Sequence, residues 1–98
     1  MTLSKTVDGE KLTIAIIGTL DTATAPKLEE EVMASTKGIH SLVLDLAQLE
    51  YVSSAGLRVL LKAQKMMNKQ GDMIIVNASE TIKEVFELTG FIDILKLG

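Results

Sequence analysis

Cysteine and tryptophan are absent from this 98-residue chain. Without cysteine there is no disulfide scaffold, no thiolate nucleophile and no Cys-based zinc site. Aromatic residues are almost missing as well: two Phe and one Tyr. The core therefore has to be aliphatic, built from Leu, Ile, Val and Met. Neither sign of charge dominates, since thirteen acids against ten bases leave a formal charge of −3. So mild a negative balance gives no broad pull toward phosphate backbones, and direct nucleic-acid binding is not expected. No apolar run approaches the ~20 residues that a membrane helix needs. The first eight residues also lack the apolar centre of a signal peptide. No membrane insertion and a cytoplasmic location are the resulting expectations.

What is present argues for a folded protein. At 47% hydrophobic residues there is enough apolar surface to offset the chain entropy of folding. The length predicts one domain over residues 1–98, near the lower size at which a single core suffices without staples.

Hydrophobic periodicity then predicts the elements. Leu3, Lys5 and Val7 alternate with polar neighbours, and Asp8-Gly9 marks a tight turn, so the chain opens as a hairpin. Lys11 to Gly18 reads as a more buried strand. Thr22 or Thr24 can cap the next helix, which tolerates Pro26 in its first turn. Ala25, Leu28 and Val32 form its inner face, and Glu29, Glu30 and Glu31 read as a solvated face. Leu42 to Leu46 is a nearly continuous apolar strand, as expected for burial on both faces of a parallel sheet.

A loop over Ala47–Val52 leads to a second helix that runs to about Gln70, with Gly71 as its stop. Leu57, Leu60 and Leu61 point inward, while Arg58, Lys62, Lys65 and Lys69 form an outer basic stripe. Met73 to Val76 reads as a strand, Asn77 and Glu80 as a capping pair for a third helix, and Ile92 to Leu97 as a last short strand. The order predicts a small α/β sandwich: a mixed, mostly parallel sheet of four to five strands with about three helices.

In such sheets, ligands and modifications gather at the carboxyl edge, where strands hand over to helices. Two junctions qualify, Gly18–Thr24 and Glu50–Gly56. Ser53 and Ser54 open the second helix, where unpaired N–H groups and the dipole favour an anion. From residue type alone these serines read first as helix caps. His40, the only histidine, reads as a loop residue and not a metal ligand, because zinc wants three or four protein ligands. It lies at the amino end of its strand, away from Ser54, which disfavours a Ser-His-Asp assembly. No phosphate-cradling or dinucleotide glycine motif is present. No enzyme activity, cofactor or metal is expected.

Two segments carry a family likeness. Leu44-Asp45-Leu46 followed by Tyr51-Val52-Ser53-Ser54-Ala55-Gly56-Leu57 resembles the signature of STAS domains of the bacterial anti-sigma factor antagonist (anti-anti-sigma factor) family. Gly18-Thr19-Leu20-Asp21-Thr22-Ala23-Thr24-Ala25 resembles that family's Gly-x-Leu-Asp motif and Thr-Ala helix start. The resemblance implies a STAS fold over the whole chain and a phosphoprotein of signalling and transcription regulation. It implies phosphorylation at Ser54, the serine that precedes the Gly-Leu pair by two positions, with Ser53 as the alternative because many members carry Asp there. The implied partners are an anti-sigma factor with serine kinase activity and a serine phosphatase. The implied contact surface is Asp21, Thr22, Ser53, Ser54, Ala55 and Gly56, extended along the helix by Arg58 and Lys62. A second expectation is a non-phosphorylated STAS subunit of a membrane-associated, lipid-transport-like complex. The exposed edge of the first strand also leaves a homodimer open.

Overall fold

A computed structural model describes residues 1–98. In chain order the elements are β1 (Thr2–Asp8), β2 (Lys11–Leu20), α1 (Ala25–Ser35), β3 (Ser41–Asp45), β4 (Leu49–Val52), α2 (Ser54–Met67), β5 (Asp72–Val76) and α3 (Glu80–Thr89). A single 3-10 turn, Phe91–Asp93, follows. The sheet runs β1-β2-β3-β5, and β4 pairs with the far end of β2. β1 is antiparallel to β2, and every other pairing is parallel. Five strands and three helices make the mixed α/β fold that the sequence predicts.

Alternation explains why the sheet holds together. Register places Leu12, Leu42 and Met73 in one row across three strands, and Ile14, Leu44 and Ile75 in the next. All six are buried, and they join Leu28 and Val32 of α1, Leu57, Leu60 and Met67 of α2, and Ile82 and Phe86 of α3 in one cluster. Burying an aliphatic side chain of this size contributes roughly 1.5–3 kcal/mol. With aromatics so few, that sum is carried almost entirely by Leu, Ile, Val and Met. No helix is long and apolar enough to cross a membrane.

Several expectations need correction. The segment after β3 is not a plain loop: residues 49–52 form β4, pairing with Gly18–Leu20 across an irregularity at Gly18. Only Leu49 and Val52 of this strand are buried, too little alternation to register as a strand. Burial on both faces does not extend through β3, because Val43 is only half-buried, and on neighbouring β5 Ile74 keeps 37% of its surface. The three helices have one-sided apolar stripes, and these merge into a single cluster. The C-terminal strand shrinks to one bridge, Leu97 to Ile75, beyond the 3-10 turn. Ser79, not Asn77, caps α3, accepting from the Ile82 N–H at 3.2 Å. Leu61 is half-buried, and Val59, Ala63 and Gln64 are buried in α2 beside Leu57 and Leu60.

Gly71 has a different task from the one expected. α2 ends at Met67, and Gly71 lies against the backbone of His40, whose carbonyl accepts from the Asp72 N–H at 2.9 Å. A Cβ on Gly71 would overlap the His40 carbonyl, and backbone cannot swing aside as a side chain can. Gly9, by contrast, has φ of +62° but open space where its Cβ would sit. We therefore expect Gly71→Ala to cost about 2–3 kcal/mol through overpacking, and Gly9→Ala only about 1 kcal/mol through backbone strain. Urea unfolding of both variants checks the order. Equal losses would show that the His40 contact is not restrictive.

Candidate functional site

At the carboxyl edge of the sheet, β2 and β4 end side by side. The Ser53 N–H donates to the Leu20 carbonyl at 2.8 Å, tying the end of one motif to the start of the other. Directly behind this bond lies Gly56, buried in the first turn of α2. A Cβ there would stand 2.7 Å from Leu20 Cγ, 3.0 Å from the Leu20 carbonyl oxygen and 3.0 Å from Val52 Cγ2. Only the absence of a side chain lets the helix start so close to the strand ends. Gly56 was expected at a contact surface. Being buried, it acts instead by packing.

The two serines separate cleanly. Ser53 has extended backbone (φ −92°, ψ 175°), and its Oγ accepts from the Gly56 N–H at 3.2 Å, so it is the N-cap of α2. Ser54 is the first helical residue and is exposed, and its hydroxyl bonds to no other group of the chain. No acidic side chain stands in the first turn, which leaves the positive end of the helix dipole uncompensated. A hydroxyl here is accessible, and a negative charge on it would be favourably placed.

Asp21 and Thr24 lock the neighbouring loop. Asp21 Oδ1 accepts from the Ala23 and Thr24 N–H groups, both at 3.0 Å. Thr24 Oγ1 accepts from the Asp21 N–H at 2.8 Å, and its one proton is shared between the Thr19 carbonyl at 2.9 Å and Asp21 Oδ1 at 3.1 Å. Thr24 sits at the N-cap position of α1 yet its hydroxyl makes no cap bond to that helix; it is spent on the loop instead. The Thr24 N–H, above all, holds the Asp21 carboxyl below its ordinary pKa, with the Thr24 hydroxyl and the Ala23 N–H adding to the effect. Thr22 is exposed beside this loop, and Ala55 is half-buried.

Arg58 and Lys62 follow Ser54 along the exposed side of α2. Lys62 pairs with Glu29 of α1 at 3.3 Å. Glu31 is held by Lys5 of β1. Two of the three glutamates read as a solvated face are thus cross-links between elements. Tyr51, which sequence reasoning left out of the site, is 55% exposed on β4 just before the serines. Its place in the motif, two positions before Ser53, is the signal that could have included it. His40 sits next to Glu10 at 3.0 Å, at the amino end of β3, and no three His, Asp or Glu side chains converge as a metal site.

Comparison with known proteins gives this edge its context. The STAS domain family model matches residues 2–98, and the chain belongs to that family. It is 41% identical, over its full length and 84% of the relative, to BtrV of Bordetella bronchiseptica, provisionally named an anti-sigma factor antagonist. It is 33% identical to the anti-sigma-B factor antagonist of Listeria monocytogenes, covering 92% of this chain and 81% of that one. Among solved structures, an anti-sigma factor antagonist from Mycobacterium paratuberculosis superposes with a TM-score of 0.87 at 25% identity, over 98% of this chain and 83% of that one.

Two outcomes follow from the geometry. Ser53→Ala removes a cap and should cost about 1 kcal/mol in urea unfolding, whereas Ser54→Ala should stay within roughly 0.5 kcal/mol of the parent; the reverse order would mean the cap is misassigned. The Asp21 carboxyl, lowered in the folded state, contributes stability at neutral pH that is lost as the pH falls through the carboxylate range toward that lowered pKa. Asp21→Asn should accordingly flatten the acid limb of stability below about pH 5, where an ordinary carboxylate begins to take up its proton. An unchanged acid limb would rule this contribution out.

Proposed function

We propose that this protein is an anti-sigma factor antagonist, a binding switch whose state is set by phosphorylation of Ser54. Its partner would be an anti-sigma factor that also acts as the serine kinase, with a serine phosphatase restoring the bare hydroxyl. One observation carries this reading: of two adjacent serines, Ser53 is committed to capping α2, while the Ser54 hydroxyl is exposed and unengaged. The relatives named as anti-sigma factor antagonists supply the partner class.

The switch is a change of surface, not of fold. In the bare form the mouth of α2 and the Asp21 loop, with Thr22, Ser53, Ser54, Ala55, Arg58 and Lys62, dock on the anti-sigma factor, which then releases its sigma factor. Phosphate adds roughly 1.5–2 negative charges at neutral pH. The helix dipole accommodates that charge, so the chain keeps its shape. In the interface the same group must lose its water, and docking weakens.

Incubation with the anti-sigma factor of the same organism and ATP, followed by intact-mass measurement, tests the assignment. One phosphate is expected on the parent and on Ser53→Ala, and none on Ser54→Ala. A phosphate that persists in Ser54→Ala would contradict the site.

A further inference from the structure

Charge is distributed very unevenly along this acidic chain. Residues 51–71 contain Arg58, Lys62, Lys65 and Lys69 and not one Asp or Glu, so the other segments hold six bases against all thirteen acids. At 100° per residue, positions 58, 62, 65 and 69 project within a narrow arc of α2 and the turn after it, and Ser54 projects onto the same arc. All four cations and Ser54 are exposed, while the opposite side of the helix, through Leu57, Leu60, Ala63 and Met67, is buried. Lys62 alone has a carboxylate partner, Glu29. Arg58, Lys65 and Lys69 have none in the chain.

A stripe of unpaired cations on a rigid, well-packed helix is not needed for folding, and like charges at helical spacing repel by a few tenths of a kcal/mol. We infer that the exposed side of α2, from Ser54 to Lys69, is a docking surface for an acidic surface of a protein partner. The cations steer the partner in and set its orientation along the helix axis. Ser54 stands at the leading end, one turn before Arg58, so a phosphate there offsets the stripe where the partner first engages. This deepens the switch proposed above, resting on it for the role of Ser54 alone. The charge complementarity stands without any phosphate.

Ionic strength and charge reversal read the surface directly. A fluorescent Glu-rich peptide serves as the probe, titrated at low salt with amide shifts recorded by NMR. Shifts are expected along residues 54–69, with binding lost at high salt as the Debye length contracts to about 3 Å near 1 M. Lys65→Glu with Lys69→Glu should weaken binding at least about fivefold, since each reversal turns an attraction into a repulsion. Lys11→Glu with Lys83→Glu, which changes the net charge equally but on β2 and α3, should leave binding unchanged, and thermal melts confirm that each pair folds. Equal weakening by both pairs, shifts on another face or no binding at all would overturn the inference. So would binding to phosphatidylglycerol vesicles without binding to the peptide. If the stripe binds but Ser54 never accepts phosphate from the anti-sigma factor, the docking surface stands and the switch falls. If phosphate is accepted but charge reversal on α2 does nothing, the opposite holds.

Discussion

Everything at the carboxyl edge depends on how closely α2 approaches the end of β2. That approach is set by Gly56, which has Leu20 and Val52 where a side chain would be, and by the Ser53 N–H bound to the Leu20 carbonyl. The two constraints hold the first turn of the helix against the strand ends, and they leave Ser54 no direction but outward. A bulkier residue at position 56 would lift the helix, break the cap and change what the surface presents. Buried glycine and exposed serine are therefore coupled: the first fixes the distance that leaves the second on the surface.

Much of this was legible in the residues. The alternation of Leu12, Ile14 and Ile16, and the run from Leu42 to Leu46, carried the sheet, and Ala25, Leu28 and Val32 carried α1. Both junctions at the carboxyl edge followed from the order of elements. What was hidden was of a different kind. β4 buries only Leu49 and Val52, so its identity comes from pairing with β2 and not from a local pattern. Gly71 looks like a helix stop by sequence, but its requirement arises from His40, thirty-one positions away in the chain. The division of labour between Ser53 and Ser54 is likewise invisible in composition: both are serines at a helix start, and only backbone geometry assigns one to the cap. Tyr51 sits inside the family motif, yet its outward direction is a property of a strand the sequence did not reveal.

The electrostatics of the edge have two layers. The inner layer is local: Asp21 Oδ1 held by its own loop, and a first turn of α2 free of carboxylates. The outer layer is the cationic side of α2, set on a chain that is otherwise acidic. A charged group appearing on Ser54 meets both layers at once. It is stabilised by the helix end beneath it and partly neutralised by Arg58 beyond it, and neither effect requires the core to move. In a small domain with an aliphatic core, where marginal stability is the rule, the proposed switch would ask for no refolding.

Comparing amide NMR spectra of the bare chain and of the chain with phosphoserine installed at position 54 measures this most directly. Changes confined to the Gly18–Thr24 loop and the first turns of α2 are the predicted result. Shifts or lost signals through β1, β5 or α3 would contradict it, since they would mean that the phosphate reshapes the fold and does not simply change its surface.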